Sequence, residues 1–299
     1  MKLKDTKICI LVGGPGLERE VSIASGKEVF EYLKKRYSSV ISYEISEENY
    51  SEKLKLALGG DLSKEHVDVF FNCIHGTFGE DGSLQKILSD NHRFHTSSDE
   101  DVSRLTFNKK RTKEIAERLN IPMVKDFMNI KEGLRSCDKI ICKPNKEGSS
   151  FGITILDQES TVKGFAGDFL IEEYIEGNDI TVGILGDEVF DPIKIITQGD
   201  WYDYEHKYST GKTTYEVPAN VSSATRKRLR EYTQEIYHAC GLSNAARCDF
   251  LITSTEDIYF LEINSVPGMT STSLFPKSAQ AAGYSFEDLL VKMIDAART

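Results

Sequence analysis

Asp249, Glu262 and Asn264 lie in two strand-like runs, ARCDFLI and IYFLEIN, and all three carry side-chain oxygens. Such a set suits a hard divalent cation, Mg2+ above all. The polar turn TSTED between the runs predicts an antiparallel hairpin. Alternation places Arg247 with Asp249 on one face of the first strand, and Ile258, Phe260, Glu262 and Asn264 on one face of the second. Whether the two polar faces meet depends on register, which loop length does not determine. Carboxylates on the outer, solvated side of a hairpin are the alternative, because exposed carboxylates are the rule.

A second constellation is ICKPNKEGSSFGITIL, with Lys143 on a strand and Lys146, Gly148, Ser149, Ser150 and Gly152 in the turn after it. Glycines let backbone N–H groups approach an anion closely, while hydroxyls and lysines add donors and charge. This predicts a phosphate cradle, although the Walker A spacing is absent; an ordinary Gly-Ser hairpin turn is the alternative. In FNKKRTKEI, Lys109, Lys110, Arg111 and Lys113 fall near a helix start. The helix dipole disfavours cations there by roughly 0.3–1 kcal/mol each, which a bound polyphosphate offsets. For three of the four a solvated basic face is the expectation.

No Ser-His-Asp or Cys-His set stands out; Cys73 near His75 at a strand end reads as a core thiol. GGPGLE after the first strand, with Glu44 closing a second, suggests a dinucleotide site. It lacks the third glycine that close helix packing needs, which argues against an NAD oxidoreductase.

The elements that must position these groups follow from patterning. KICILVGG, SSVISYEI and HVDVFFNCIHG read as strands, with a helix over 22–35 whose N-cap is Ser22. This is βαβ texture, hence a parallel sheet flanked by helices. A lysine-rich helix runs from about Thr106 to Leu119 and stops near Pro122; strands broken by Gly-rich turns follow. Ser285 and Asp288 open a closing helix in the manner of a capping box. Boundaries fall near 100 and 180, giving an N-terminal α/β domain (1–100), a central subdomain (101–180) and a C-terminal one (181–299). Within the last, 198–217 is a polar, Gly-containing stretch with four aromatics packed into the eight positions 201–208, and it reads as an ordered lid.

At 299 residues, 39% hydrophobic and 28% charged, the chain has the composition of an ordinary globule with a sizeable core. A net charge of −10 opposes nucleic acid and anionic membrane as partners, so an anionic ligand must meet a locally basic pocket. No apolar run is long enough to span a bilayer. The six scattered cysteines, with no C-x-x-C pair, read as reduced core thiols of a cytoplasmic protein.

LVGGPGLEREVSIASG, CIHGTFGEDGSLQ, CKPNKEGSSFGI, YDYEHKY, ARCDF and LEINSVPGMTSTSLFP occur in an order and at separations that resemble the D-alanine:D-alanine ligases of the ATP-grasp superfamily. The likeness spans nearly the whole chain. It implies an α/β fold in which two α+β domains sandwich ATP after an N-terminal parallel domain. It implies ATP and two Mg2+ ions (Mn2+ as substitute) held by Asp249, Glu262 and Asn264, and D-alanine as the small-molecule substrate. Lys109, Lys143 and Lys207 would take phosphates, and Ser149 would lie beside the nucleotide. Glu172, Glu173, Tyr174 and Ile175 would contact adenine, mainly through backbone. Asp179 would accept from the ribose, where the family usually has glutamate. A second departure is TSSDED (96–101), where the family usually has a Gly-rich turn.

By the same resemblance an acyl phosphate forms on the first D-alanine. Glu18 would hold its ammonium and His75 would lie by its carboxylate. Arg247 and the Gly268 N–H would stabilise the oxyanion; Ser273 and the Leu274 N–H would take the carboxylate of the second D-alanine. Tyr208 would join Ser149 and Glu18 in locking the lid, and a tyrosine there favours an amine over a hydroxy acid as acceptor. A homodimer is implied. The alternatives are a sister ligase with another amino-acid specificity and a catalytically silent ATP-binding homologue.

Overall fold

The computed structural model describes residues 5–46, 48, 50–149, 151–160, 167–197 and 213–298. The alternating first third folds into four parallel strands, β1 (Lys7–Gly13), β2 (Ser39–Ile45), β3 (Val69–Asn72) and β4 (Phe94–His95), in the order β2-β1-β3-β4. Strand β1 is apolar throughout its centre because both faces are covered. Ile8, Ile10 and Val12 meet α1 (Arg19–Leu33) on one side. Cys9 and Leu11 meet α2 (Tyr50–Gly59), α3 (Asp61–Glu65) and α4 (Ser83–Asp90) on the other.

Two helix starts differ from the expectation. Helix α1 begins at Arg19, and Ser22 is buried inside its first turn, where its hydroxyl accepts from the Gly13 N–H at 2.9 Å. Ser22 thus ties the strand-to-helix turn instead of capping the helix. The lysine-rich helix expected from about Thr106 begins at Lys109 as α6 (Lys109–Arg118), and a separate short helix, α5 (Glu100–Thr106), precedes it. Asn108 makes the break, because its side chain accepts the Arg111 N–H at 3.2 Å and caps α6.

After α7 (Ile130–Ser136), strands β5 (Lys139–Pro144), β6 (Thr154–Asp157) and β7 (Phe169–Glu173) form an antiparallel sheet, β6-β5-β7. The larger antiparallel sheet contains β8 (Asn178–Leu185), β9 (Glu188–Val189), β10 (Ile193–Thr197), β11 (Thr213–Glu216), β12 (Ala245–Ile252) and β13 (Ile258–Asn264). Its order is β11-β10-β8-β12-β13, with β9 beside β8. One face buries Val182, Cys248, Phe250 and Phe260 against Ile115 of α6 and Leu229 and Ile236 of α8 (Ser223–Cys240). The opposite face is left for the cleft. Helices α9 (Leu274–Ala281) and α10 (Phe286–Ala296) return to the N-terminal layer, where Phe275, Leu289 and Ile294 pack with Val29 and Leu33. Ser285 caps α10 as expected, accepting the Asp288 N–H at 3.1 Å.

All six cysteines are free, and five are buried. Burial pushes the Cys9 thiol up to about 12, as suits an inert core side chain. No described helix is long and apolar enough to cross a membrane.

Candidate active site

The three layers meet around a cleft of about 760 Å³. One wall is the hairpin β12–β13, where Asp249 stands directly across from Glu262 and Arg247 across from Asn264. The register therefore brings the predicted oxygen donors together. Strict alternation does not hold along β13, however. The ladder shifts between Asp249 and Phe250, so Leu261 is the extra residue of a bulge. Ile258 and Phe260 face the core before it, Ile263 faces the core after it, and Glu262 and Asn264 turn into the cleft. The four residues expected on one face thus divide between two, because one inserted residue changes the phase of every side chain beyond it.

The polar groups of this wall hold one another. Arg247 donates through Nε to Asp249 Oδ1 at 2.9 Å and through Nη2 to Oδ2 at 2.7 Å. Thr181, opposite Asp249 on β8, donates its hydroxyl to Oδ1 at 2.6 Å. Lys109 Nζ lies 3.1 Å from Glu262 and donates to the Glu147 carbonyl at 2.6 Å. Asn264 Oδ1 accepts the Val266 N–H at 3.0 Å. Among the described residues no group of three His, Cys, Asp or Glu is placed to hold a metal. Two carboxylates and an amide are hard donors that fit Mg2+ chemically, but too few to fill its shell, so phosphate oxygens and water must complete it.

Lys143, on β5, pairs with Glu172 Oε2 at 2.6 Å, and Lys113, from α6, pairs with Oε1 at 2.6 Å. Burial alone would push the Glu172 carboxyl up; the two lysines outweigh it and hold the group below its ordinary value. The Glu172 side chain is thus committed to positioning Lys143. Glu173, Tyr174, Ile175 and Asp179 continue along the cleft from the end of β7 into β8. Of the four cations at the start of α6, Lys110 and Arg111 lie on the solvated face expected for three of them. Lys110 pairs with Asp168, while Lys109 and Lys113 reach inward.

Glu18, His75 and Glu80 gather at the other end. The Ser149 hydroxyl donates to Glu18 Oε1. A Cβ on Gly148 would sit 2.6 Å from Glu18 Oε2, so any larger residue there would have to displace the Glu18 carboxylate. His75 Nδ1 lies 2.9 Å from the Val266 carbonyl, which can only accept, so Nδ1 carries the proton. Its Nε2 is buried with no partner among the described residues. Burial holds the imidazole below its ordinary value against the pull of Glu18, so Nε2 presents a lone pair. Glu80 accepts the Gly76 N–H at 2.9 Å and lies 3.8 Å from the His75 ring. Burial, reinforced by the Glu18 charge, pushes its carboxyl up to about 8.

Gly268 and Ser273 meet at the head of α9: a Cβ on Gly268 would lie 3.0 Å from Ser273 Oγ. That hydroxyl accepts the Thr270 N–H at 3.1 Å and does not cap its own helix. The first N–H groups of α9 lack a side-chain cap, and Ser273 and Leu274 line the cleft at that helix start. Lys207, Tyr208 and residues 198–212 of the lid expected over 198–217 lie outside the described residues, and its last part is strand β11 (Thr213–Glu216), paired with β10.

The sequence reasoning left four neighbours of the site without a role. Glu80 sits in the quoted block GTFGEDG, five residues after His75. Thr181 is two residues after Asp179 on the same strand, where period two was a usable signal. Lys113 was legible as a cation but its burial was not. Lys277 lines the cleft from one turn inside α9.

The model for the D-ala D-ala ligase C-terminus matches residues 110–295. A D-alanine--D-alanine ligase of Syntrophotalea carbinolica is 33% identical over 305 residues, covering 98% of this chain and 96% of the relative. The crystal structure of D-alanine--D-alanine ligase from Bacillus anthracis complexed with ATP superposes with a TM-score of 0.81 at 27% identity, covering 98% of this chain and 97% of that one. The VanG D-Ala:D-Ser ligase from Enterococcus faecalis does so at 0.79 and 26% identity, covering 98% and 99%. With the cleft's residues in the order of its motifs, and with relatives matched from end to end, the chain belongs to the D-alanine:D-alanine ligase family, on the ATP-grasp fold.

Proposed function

We propose that the residues of this cleft divide between them the family's reaction, the ATP-dependent joining of two D-alanine molecules; the chain is a carbon–nitrogen ligase whose dipeptide feeds peptidoglycan synthesis. The observation that carries the assignment of roles is that Lys109, Lys143 and Arg247 share one cleft with Glu18, Asp249, Glu262 and Asn264. Lys109 and Lys143 take the phosphates of ATP, with Glu173, Tyr174 and Ile175 at the base and Asp179 at the ribose. Asp249, Glu262 and Asn264 hold two Mg2+ ions, which neutralise phosphate charge when bound.

Glu18 takes the ammonium of the first D-alanine, and the lone pair of His75 Nε2 faces the same substrate. A neutral imidazole repels no ammonium and accepts from one, so His75 stands nearer the amine than its assignment to the carboxylate implies. The first carboxylate oxygen attacks the γ-phosphorus, ADP leaves, and an acyl phosphate results. The amine of the second D-alanine then attacks the carbonyl carbon, phosphate leaves, and the amine loses its proton. Arg247 and the Gly268 N–H face the oxygen on which charge develops, and no protein nucleophile is required. Ser273 and the Leu274 N–H hold the second carboxylate. Lys207 and Tyr208 close over the intermediate and keep water from it. The protein works as a homodimer in the cytoplasm, where free cysteines persist.

Incubation with ATP, Mg2+ and D-alanine should release phosphate and dipeptide in equal amounts, and ADP only when D-alanine is present. ADP release without dipeptide would leave an ATP-binding homologue. A second reading, another acceptor amino acid, is favoured by the near-equal likeness to the D-Ala:D-Ser ligase. Competition between D-alanine and D-serine decides it, and Tyr208→Phe should admit D-lactate.

A further inference from the structure

Lys277 sits one turn inside α9, and its side chain runs back toward the helix start, as helical side chains do. Its ammonium donates to the Thr272 carbonyl at 2.7 Å and lies 5.3 Å from the centre of the Tyr215 ring. Both partners are neutral. The other cleft cations differ: Lys109 faces Glu262, Lys143 faces Glu172 and Arg247 faces Asp249. Among the described residues no carboxylate pairs with Lys277, and burial lowers its pKa from the ordinary value. A partly desolvated ammonium between a carbonyl and a ring face is one anion short of a satisfied environment.

The rest of the cleft explains why that anion matters. Glu18, Glu147, Asp249 and Glu262 all line it. An amino acid entering as nucleophile must bring its amine toward the reacting carbonyl and its carboxylate away from these acids. A lone cation beside Ser273 and Leu274 sets that orientation.

We infer that Lys277 is a specificity-determining residue of the acceptor subsite, reading the α-carboxylate of the second amino acid together with the Ser273 hydroxyl and the Leu274 N–H. This rests on the acceptor lying at the head of α9, as proposed above. The cation acts on binding and orientation, and the bond-making step remains with the groups around Arg247.

The experiment compares D-alanine with D-alaninamide as acceptor at saturating ATP and donor D-alanine. D-Alaninamide has the amine but no carboxylate to phosphorylate or to be read, so it serves only as acceptor. Lys277→Met keeps the length of the stem and removes the charge. The expected result is a rise of about tenfold or more in KM for acceptor D-alanine, the scale of a lost hydrogen bond to a charged group, with kcat and KM for ATP changed by no more than about twofold. The preference for D-alanine over D-alaninamide should fall by the same factor, and Lys277→Arg should restore most of it. If Ser273→Ala raises the acceptor KM while Lys277→Met does not, the acceptor placement stands and the role of Lys277 is overturned. If Ser273→Ala leaves acceptor binding unchanged, the placement itself fails and takes this inference with it. Loss of kcat and ATP affinity together, with the acceptor preference intact, makes Lys277 a packing residue and also overturns the inference.

Discussion

Glu172 and Glu80 are both nearly sealed from solvent, at 1% and 8% exposed, yet their surroundings push their carboxyls in opposite directions. Desolvation acts upward on each. Glu172 answers it with Lys143 and Lys113 at 2.6 Å, whereas Glu80 has one backbone N–H and an imidazole that burial keeps neutral. The same residue type is therefore an anion at one end of the cleft and protonated at neutral pH at the other. Under the proposed roles, the end that holds Lys143 and Lys113 takes the phosphates, and the end that holds Glu18 takes a ligand ammonium.

Removing one lysine from the nucleotide end should erase much of this contrast. Lys113→Met leaves Glu172 to a single cation in a buried place, with an expected loss of about 3–5 kcal/mol of folding stability. A urea titration at neutral pH measures it. The Glu172 carboxyl should rise, and Lys143, now its only counter-charge, should be less free for phosphate, so KM for ATP should rise too. An unchanged urea midpoint would mean that Lys113 is a bystander.

Between the two ends stands Arg247. Arg247→Ala should lower kcat by about 10²–10³, the cost of removing one oxyanion donor, while leaving ATP affinity nearly intact. Its charge is needed only when the carbonyl oxygen becomes negative. If nucleotide binding collapses instead, Arg247 serves the nucleotide end, and its role has been misplaced.

The two ends also differ in how far the sequence exposed them. Lys109 and Lys143 were legible as inward-reaching cations of one cleft, whereas the Gly148–Ser149 turn, expected beside them as a phosphate cradle, closes on the Glu18 carboxylate. The hairpin register was predicted as a condition and met, but the bulge at Leu261 was invisible, since IYFLEIN alternates without a glycine or proline to mark it. The parallel layer around β1 followed from apolar runs. The return of α9 and α10 onto that layer did not, because nothing local in a sequence says which distant face an amphipathic helix will cover. Glu80 and Lys113 were missed for a related reason: burial of a charged residue is decided by the tertiary neighbours that satisfy or isolate it, and not by its own segment.

Glu80 offers a test through pH. Its folded value, about 8, lies above the ordinary 4.5. Between those values the unfolded chain releases a proton that the folded chain keeps, so stability falls as pH rises from about 4.5 to about 8 and levels off above. The contribution has a slope of at most about 1.4 kcal/mol per pH unit. Glu172, held below its ordinary value, does the reverse: its contribution is in place above about 4.5 and is lost as the pH falls further. Without ATP or Mg2+, Glu80→Gln should flatten the upper window and leave the acid side alone. Equal slopes in both proteins across that window would show that Glu80 ionises normally.

The smallest expected effect lies where the ends meet. Thr181 donates to the Asp249 oxygen that also accepts from Arg247 Nε. Thr181→Val keeps the shape and removes the donor, at a cost of about 0.5–1.5 kcal/mol. Asp249 would then lean on Arg247 alone. The Mg2+ concentration for half-maximal rate should rise a few-fold, and kcat should fall modestly, because the guanidinium is held harder by Asp249 and shared less with the oxyanion. If Mg2+ dependence shifts with kcat unchanged, Thr181 orients only the metal ligand. If kcat falls with Mg2+ dependence unchanged, it acts through Arg247, and the hairpin wall belongs to the amino-acid end as much as to the nucleotide.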